Sequence, residues 1–251
     1  MKIGITEHGD AGIDLRWIDK VPKMDGAIII TKNLTDKCKE GLLLHKDKVI
    51  LHCTCTGYGS TVIEPNVPNF HAQLDSLKDL IDKGFPASHV VLRIDPIFPT
   101  ERGLSRVNMV LDYFNSLDIK NKEQIRFRMS IVDEYPHVRE RYRMCGLRPI
   151  YNGYFQAPVE MIRFVGEELS KTGLVFNTCA EDKLAALYPN TFEVKGCISK
   201  DDLDILGLTY DPNLFENPQK RTGCHCLSCK RELLTPRKKC PHGCLYCFWK
   251  D

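Results

Sequence analysis

The sequence predicts an α/β fold built on a parallel sheet, and three observations carry that prediction. Short apolar runs alternate with amphipathic stretches, as strands joined by crossover helices do. The clearest run, Gly26 to Thr31 with Ala-Ile-Ile-Ile at its centre, is β-branched in the manner of a strand buried on both faces. No internal repeat, low-complexity tract or Gly/Ser linker interrupts the rhythm. Six such units read as a partial TIM-like (β/α)6 barrel over residues 1–208, with a cysteine-rich tail, 209–251, folded over the barrel mouth as one unit. A chain of 251 residues with 43% hydrophobic and 27% charged residues buries a substantial core and reads as ordinary globular protein. A formal net charge of +2 excludes a globally basic nucleic-acid binder.

Taken in order, Lys2 to Ile5 is the first strand and Gly26 to Thr31 the second, ending in Thr31-Lys32-Asn33. Thr35 caps a helix that runs to Leu44, and Val49 to Thr56 is the third strand. That strand leads into Thr56-Gly57-Tyr58-Gly59 and then Glu64-Pro65-Asn66. In parallel barrels the loops at the carboxyl ends of strands build the active site, and glycines there permit close backbone approach to a ligand. A tight turn is the plainer reading of the same glycines. Phe70, Leu74, Leu77 and Ile81 mark one helix face, which Gly84 terminates. Cys53 and Cys55 read as packing residues.

His89 to Ile94 is the fourth strand, with Arg93 and Asp95 at its exit, where a guanidinium fork and a carboxylate suit recognition of acidic and hydroxyl groups or tie down the barrel top. A helix striped by Leu104, Val107, Leu111 and Phe114 follows, then a strand from Ile125 to Val132. Residues 136–158 break the rhythm with an arginine-rich helix, His137 to Cys145, and the aromatic residues Tyr151, Tyr154 and Phe155. Such an insertion forms a lid or a substrate wall. Pro158 opens a further helix, Leu174 to Thr178 is the sixth strand, and Lys200 to Leu206 is the last helix.

Half of the 12 cysteines lie between Cys224 and the last residue. Cys240, Cys244 and Cys247 are separated by three and two residues, which lets three thiolates converge on an iron-sulfur cube from a short loop and leaves one iron open. An open iron chelates S-adenosylmethionine. The competing reading is zinc, with His242 or a thiolate from Cys224, Cys226 and Cys229 as fourth ligand. Outside that loop, Cys179, Cys197, Cys224 and Cys226 close a second site, with Cys229 in reserve; a second 4Fe-4S cluster and a zinc ion both suit four thiolates. Cys38 and Cys145 read as spectators. Lys220, Arg221, Lys230, Arg231, Arg237, Lys238 and Lys239 form a local basic stretch, either a solvated face or a patch for an anionic partner.

Several of these motifs, namely Thr31-Lys32-Asn33, Thr56-Gly57-Tyr58-Gly59, Glu64-Pro65-Asn66, Arg93 with Asp95, Thr178-Cys179-Ala180-Glu181, Cys224-His225-Cys226 and the segment Cys240 to Cys247, stand in this order in a bacterial and phage family known as domain of unknown function 1848. The chain resembles that family over most of its length. The resemblance implies a radical S-adenosylmethionine barrel whose cluster loop lies at the carboxyl end, more remotely similar to spore photoproduct lyase. A loop so placed requires the tail to fold back over the barrel mouth. The acidic, glycine-rich amino terminus with Glu7, Asp10 and Asp14, and the added thiol Cys229, depart from the family pattern.

The expectation is therefore a radical S-adenosylmethionine enzyme. Cys240, Cys244 and Cys247 hold a 4Fe-4S cluster, and Lys32, Asn33, Thr56, Gly57, Tyr58, Gly59, Glu64, Arg93 and Asp95 bind cofactor or substrate. The catalytic residues and the identity of the small-molecule or nucleic-acid substrate are not legible, and the electron donor is of the flavodoxin or ferredoxin type. Two other function classes compete: a zinc-stabilised nucleic-acid-binding module, and an iron-sulfur electron carrier or redox sensor. With no long apolar segment, the expectation is a cytoplasmic protein without a membrane partner. Clustered cysteines in a reducing compartment point to metal chemistry.

Overall fold

The computed structural model describes residues 1–211, 214, 224–234 and 240–249. Lys220, Arg221, Arg237, Lys238 and Lys239 of the basic stretch lie outside the described residues. Along the chain stand β1 (Ile3–Ile5), β2 (Gly26–Thr31), α1 (Asp36–Leu44), β3 (Val49–Thr54), α2 (Phe70–Asp82), β4 (Val90–Ile97), α3 (Glu101–Ser116) and β5 (Arg126–Ile131). They are followed by α4 (Pro136–Met144), α5 (Val159–Ser170), β6 (Phe176–Thr178), α6 (Asp182–Leu187), β7 (Phe192–Val194), α7 (Lys200–Ile205) and β8 (Lys230–Glu232). Every strand pairing is parallel, in the order β7-β6-β5-β4-β3-β2-β1-β8. The sheet is open, with β7 and β8 at its edges. It exceeds the six expected strands by these two.

Local chemistry starts and stops the helices, at Thr35 and Gly84 as the sequence predicts. The side chains of Thr35, Asn69 and Thr100 accept from the amides of Cys38, Ala72 and Gly103 at 3.3, 3.0 and 3.1 Å, each satisfying an amide that the first turn leaves open. Gly84 follows α2 at a φ of +98°, in the left-handed region that only glycine enters without cost.

The alternation of side chains along each strand divides the interior into two layers. On one face, Leu51 and Cys53 of β3 pack with Leu42 of α1, Leu74 of α2, Leu104 of α3, Ile162 of α5 and Leu184 of α6. Cys55 lies in the same cluster, so both of these cysteines pack as apolar residues. On the opposite face, Ile3, Ile5, Ile28, Ile50 and Val91 meet Leu203 of α7 together with Ile198, Leu227, Cys197 and Cys226. The helical layer thus covers one side of the sheet, whereas chiefly the cysteine-bearing segments cover the other.

The tail enters the sheet itself. Strand β8 pairs with β1 in register Ile3 to Lys230, Ile3 N donates to Cys229 O at 3.0 Å, and Leu233 N donates to Ile5 O at 2.8 Å. Leu233 and Leu234 then anchor on the helix-side core. The insertion after β5 packs as a wall: Tyr142 and Tyr151 join Tyr58, Phe98 and the tail's Leu245 and Tyr246 in a third apolar cluster. Glu134, fully buried, holds this wall by accepting from Ile150 N at 2.6 Å and Tyr151 N at 3.1 Å. Among the described residues, no helix is long and apolar enough to cross a membrane.

Candidate metal centres

The carboxyl ends of β1, β3 and β4 carry polar residues, and the loop Cys240 to Cys247 docks on them. Asn66, in the loop between β3 and α2, donates from Nδ2 to Pro241 O at 2.8 Å and from its amide to His242 O at 3.3 Å. The His242 ring lies 3.0 Å from Asn66 O through Nδ1 and 3.1 Å from Asp10 Oδ2 through Nε2. Leu245 N donates to Ile63 O at 3.0 Å, and Arg141 of α4 donates to Cys247 O and Trp249 O, each at 2.6 Å. Gly243 turns the loop at a φ of +65°. Three separate segments therefore fix the backbone that bears Cys240, Cys244 and Cys247, all three part-exposed.

Asp10 is held by the rest of the site. Thr31 Oγ1 donates to it at 2.6 Å, Gly12 N at 2.8 Å and Lys32 N at 2.7 Å. Burial pushes the Asp10 carboxyl up, but hydrogen bonds from His242, Thr31 and the Lys32 amide outweigh it and keep the group below the usual carboxylate range. His242 thus ties the loop to Asn66 through Nδ1 and stands beside the Asp10 carboxylate through Nε2.

Beside the loop, Lys32 Nζ lies 3.0 Å from Glu64 Oε1, 3.4 Å from Asp95 O and 5.3 Å from the Tyr246 ring centroid. Tyr246 Oη donates to Glu64 Oε1 and Thr56 Oγ1 donates to Oε2 at 2.7 Å. Glu64 is 1% exposed. Burial pushes its carboxyl up, but Lys32, Tyr246 and Thr56 hold it ionised, below the ordinary value. Burial pushes the Cys244 thiol up to about 12 although Lys32 pulls it down, so a metal that binds there must displace a proton. Arg93 Nε donates to Asp95 Oδ2 at 2.5 Å, and Ser130 Oγ donates to Asp95 Oδ1.

The glycines lie against the protein's own backbone. A Cβ on Gly59 would stand 1.8 Å from Pro68 O, and one on Gly57, at a φ of +79°, would stand 2.9 Å from Arg106 O. The close approach they permit is to the protein's own backbone. Tyr58 is likewise buried against Phe98, with ring centroids 4.9 Å apart. Asn33 serves through its backbone: its amide donates to Thr31 Oγ1 at 2.9 Å, and its carbonyl is approached so closely that a Cβ on Gly12 would lie 1.8 Å away. Gly57, Tyr58, Gly59 and Asn33 thus buttress the loop, while Lys32, Thr56, Glu64, Arg93 and Asp95 supply its polar groups.

The second cysteine group converges from three chain segments. Cys179, just past β6, and Cys224 pack against the buried cluster that holds Cys197 and Cys226. Cys197 N donates to Cys226 Sγ at 3.3 Å, and the donor atoms of Glu7, Cys197 and Cys226 all lie within 4.8 Å of one another. Gly196 is required here, because a Cβ would stand 2.3 Å from His225 O. Arg128 donates to Lys195 O at 2.9 Å and Gly196 O at 2.7 Å, holding the turn that carries Cys197. Glu7 accepts from Lys230 of β8; burial first, then the charge of Cys197, raises its carboxyl despite that partner. Cys229 lies in the same buried cluster as Cys197 and Cys226, and burial raises its thiol above the ordinary value. Cys38 is buried in the helix-side core and Cys145 is exposed, both apart from the two groups.

Sequence reasoning gives no role to Arg128 or Arg141, and it names Glu7, Asp10 and Asn66 only within the acidic amino terminus and the Glu64-Pro65-Asn66 motif. Each acts across a long separation in the chain, for which no spacing pattern exists. No curated protein and no solved structure matches the chain. One family model, described as Domain of unknown function (DUF1848), matches residues 17–249. That span takes in the polar ends of β3 and β4 and both cysteine groups, while Glu7 and Asp10 precede it, and the chain belongs to the DUF1848 family.

Proposed function

We propose that the protein is a radical S-adenosylmethionine enzyme whose open cluster is held by Cys240, Cys244 and Cys247. The observation that carries this reading is a three-thiol loop docked at the carboxyl ends of parallel strands, beside Lys32, the buried Glu64 and the half-buried Asp95. Three thiolates on so short a loop suit a cluster with one open iron. The open sheet, with its helices mainly on one face, is read as a partial barrel whose mouth the tail covers. When bound, such a cluster supplies one-electron reductive cleavage of S-adenosylmethionine and so a carbon radical for hydrogen abstraction.

The chain's own residues then have defined tasks. Lys32, whose charge acts on Cys244, offsets negative charge on the thiolates. Glu64 and Asp95, both kept ionised by their partners, are hydrogen-bond acceptors suited to the amino and ribose hydroxyl groups of the cofactor. Tyr58, Phe98, Tyr142 and Leu245 pack an apolar wall against Tyr246 that excludes water from a reactive radical. An electron donor of the flavodoxin or ferredoxin type supplies the electron. The test is anaerobic reconstitution with iron and sulfide, then dithionite and S-adenosylmethionine. 5'-Deoxyadenosine is the expected product, and its absence from protein with an intact cluster overturns the reading.

A further inference from the structure

The four thiols at the ends of β6 and β7 and in the tail before β8 gather on one face of the sheet, and the spacing of two of them distinguishes between the metals four cysteines can hold. We propose that Cys179, Cys197, Cys224 and Cys226 bind a single zinc ion in a closed four-thiolate shell, which clasps the tail to the sheet. Zinc draws thiolates in to about 2.3 Å, so sulfurs at the corners of its tetrahedron sit about 3.8 Å apart. A four-iron cube places iron and sulfide between its ligands and spreads them much farther.

Cys197 and Cys226 share one buried cluster, and Cys179 and Cys224 pack against it. The Cys197 and Cys226 donor atoms lie within 4.8 Å of each other and of Glu7. A four-iron cube spreads its ligands farther than that pair. Among the described residues, Glu7, Cys197 and Cys226 are the group whose donor atoms meet the single-ion spacing.

The surroundings agree with a structural ion. Cys226 is 1% exposed and Cys197 7%, sealed under Ile3, Ile28, Ile198, Leu203 and Leu227. Structural zinc sites are closed in this way. Lys230 acts on Cys226, and Arg128 and Arg93 on Cys197, offsetting the two net negative charges that four thiolates leave on a zinc ion. The Cys197 amide donates to Cys226 Sγ at 3.3 Å and orients that ligand. Glu7 is engaged by Lys230, so it stands as a charged neighbour to a shell that the thiolates complete. The ion would link the ends of β6 and β7 to the residues that enter β8, and so hold β8 against β1.

Metal content decides this independently of cofactor cleavage. The full chain, purified anaerobically, is analysed for zinc and iron by plasma mass spectrometry beside two variants. Cys240→Ser/Cys244→Ser/Cys247→Ser is expected to keep about one zinc per chain and no iron, and the unmodified chain about one zinc with about four iron. Cys179→Ser/Cys226→Ser is expected to lose the zinc. Should that variant fail to fold, the triple variant grown with cobalt in place of zinc gives the answer, through the intense visible bands of tetrahedral cobalt thiolate. About eight iron atoms without zinc, or about four iron atoms in the triple variant, overturns the proposal. Zinc that survives Cys179→Ser/Cys226→Ser but is lost from the triple variant also overturns it. One zinc without iron in the unmodified chain would leave this proposal standing and remove the radical reading.

Discussion

The two halves of the tail carry three cysteines each and are treated differently by the fold. Residues 224–229 are built into the interior: Cys226 packs with Ile198 and Leu203, and β8 continues from there as an edge strand of the sheet. Residues 240–249 rest on the carboxyl ends of the parallel strands, the mouth of the site, held through Asn66, Asp10, Ile63 and Arg141, with their cysteines part-exposed. The interior group gathers thiols from three chain segments, whereas the mouth group takes them from one short loop. A metal held by distant segments would join them and so contribute to folding. A metal held on one loop would stay accessible, which chemistry on a bound cofactor requires.

Removing one thiol from each half should separate these roles most sharply. Cys244→Ala is expected to abolish formation of 5'-deoxyadenosine while zinc content and the thermal unfolding midpoint stay close to those of the parent. A variant that still cleaves the cofactor would show that the mouth loop is not the reactive site. Cys226→Ser is expected to do the reverse, lowering the unfolding free energy on the order of 5 kcal/mol through loss of the metal's contribution. Denaturant titration of the zinc-loaded chain measures it, and an unchanged midpoint would erase the contrast between the halves.

How much of this was legible depends on whether the cause is local. The bounds of β2 match the sequence reading, because a run of Ile with Gly26 at its start is a strand in any context. The Thr35 cap and the start of α2 at Phe70 are legible for the same reason. Strand β8 is Lys-Arg-Glu, a sequence with no strand propensity. It exists because Ile3 and Ile5 supply backbone partners and Leu233 and Leu234 anchor its exit, and its charges suit an exposed edge. Strand β7 and helix α6 are too short for a period to register. The cysteine grouping was legible from spacing and elimination. The Asp10 to His242 and Glu7 to Lys230 contacts were not, since each spans more than two hundred residues.

The mouth can be probed further through its buried ion pair. Glu64→Gln removes the charge facing Lys32, whose side chain is 17% exposed, and should cost about 3 kcal/mol at neutral pH because a buried lysine is left without its counterion. The pH dependence follows from the direction of the shift. The folded Glu64 carboxyl is depressed, so its stabilisation is present above the ordinary value of about 4.3 and is lost as the pH falls through the lower folded value. The gap in stability between the parent and Glu64→Gln should therefore narrow on acidification. Urea unfolding at neutral pH and at pH values below the ordinary one measures it, and a gap that does not change would mean that Glu64 is held as a neutral acid.

The smallest expected effect tests whether docking, rather than the thiols alone, makes the mouth a site. Asn66 reaches the loop from the β3–α2 connection through Nδ2 to Pro241 O at 2.8 Å, and its backbone amide and carbonyl contact His242. Asn66→Ala removes the side-chain bond and leaves the backbone contacts in place. The loss should be about 1 kcal/mol, the usual net worth of one hydrogen bond. If the loop must open to release iron, that loss makes the open form about fivefold more populated and speeds iron transfer to a chelator by the same factor. Zinc release should not change, because the interior group is sealed by a different cluster of residues. Equal acceleration of both metals would mean that the two halves of the tail loosen together, and the distinction between an accessible loop and a buried clasp would fail.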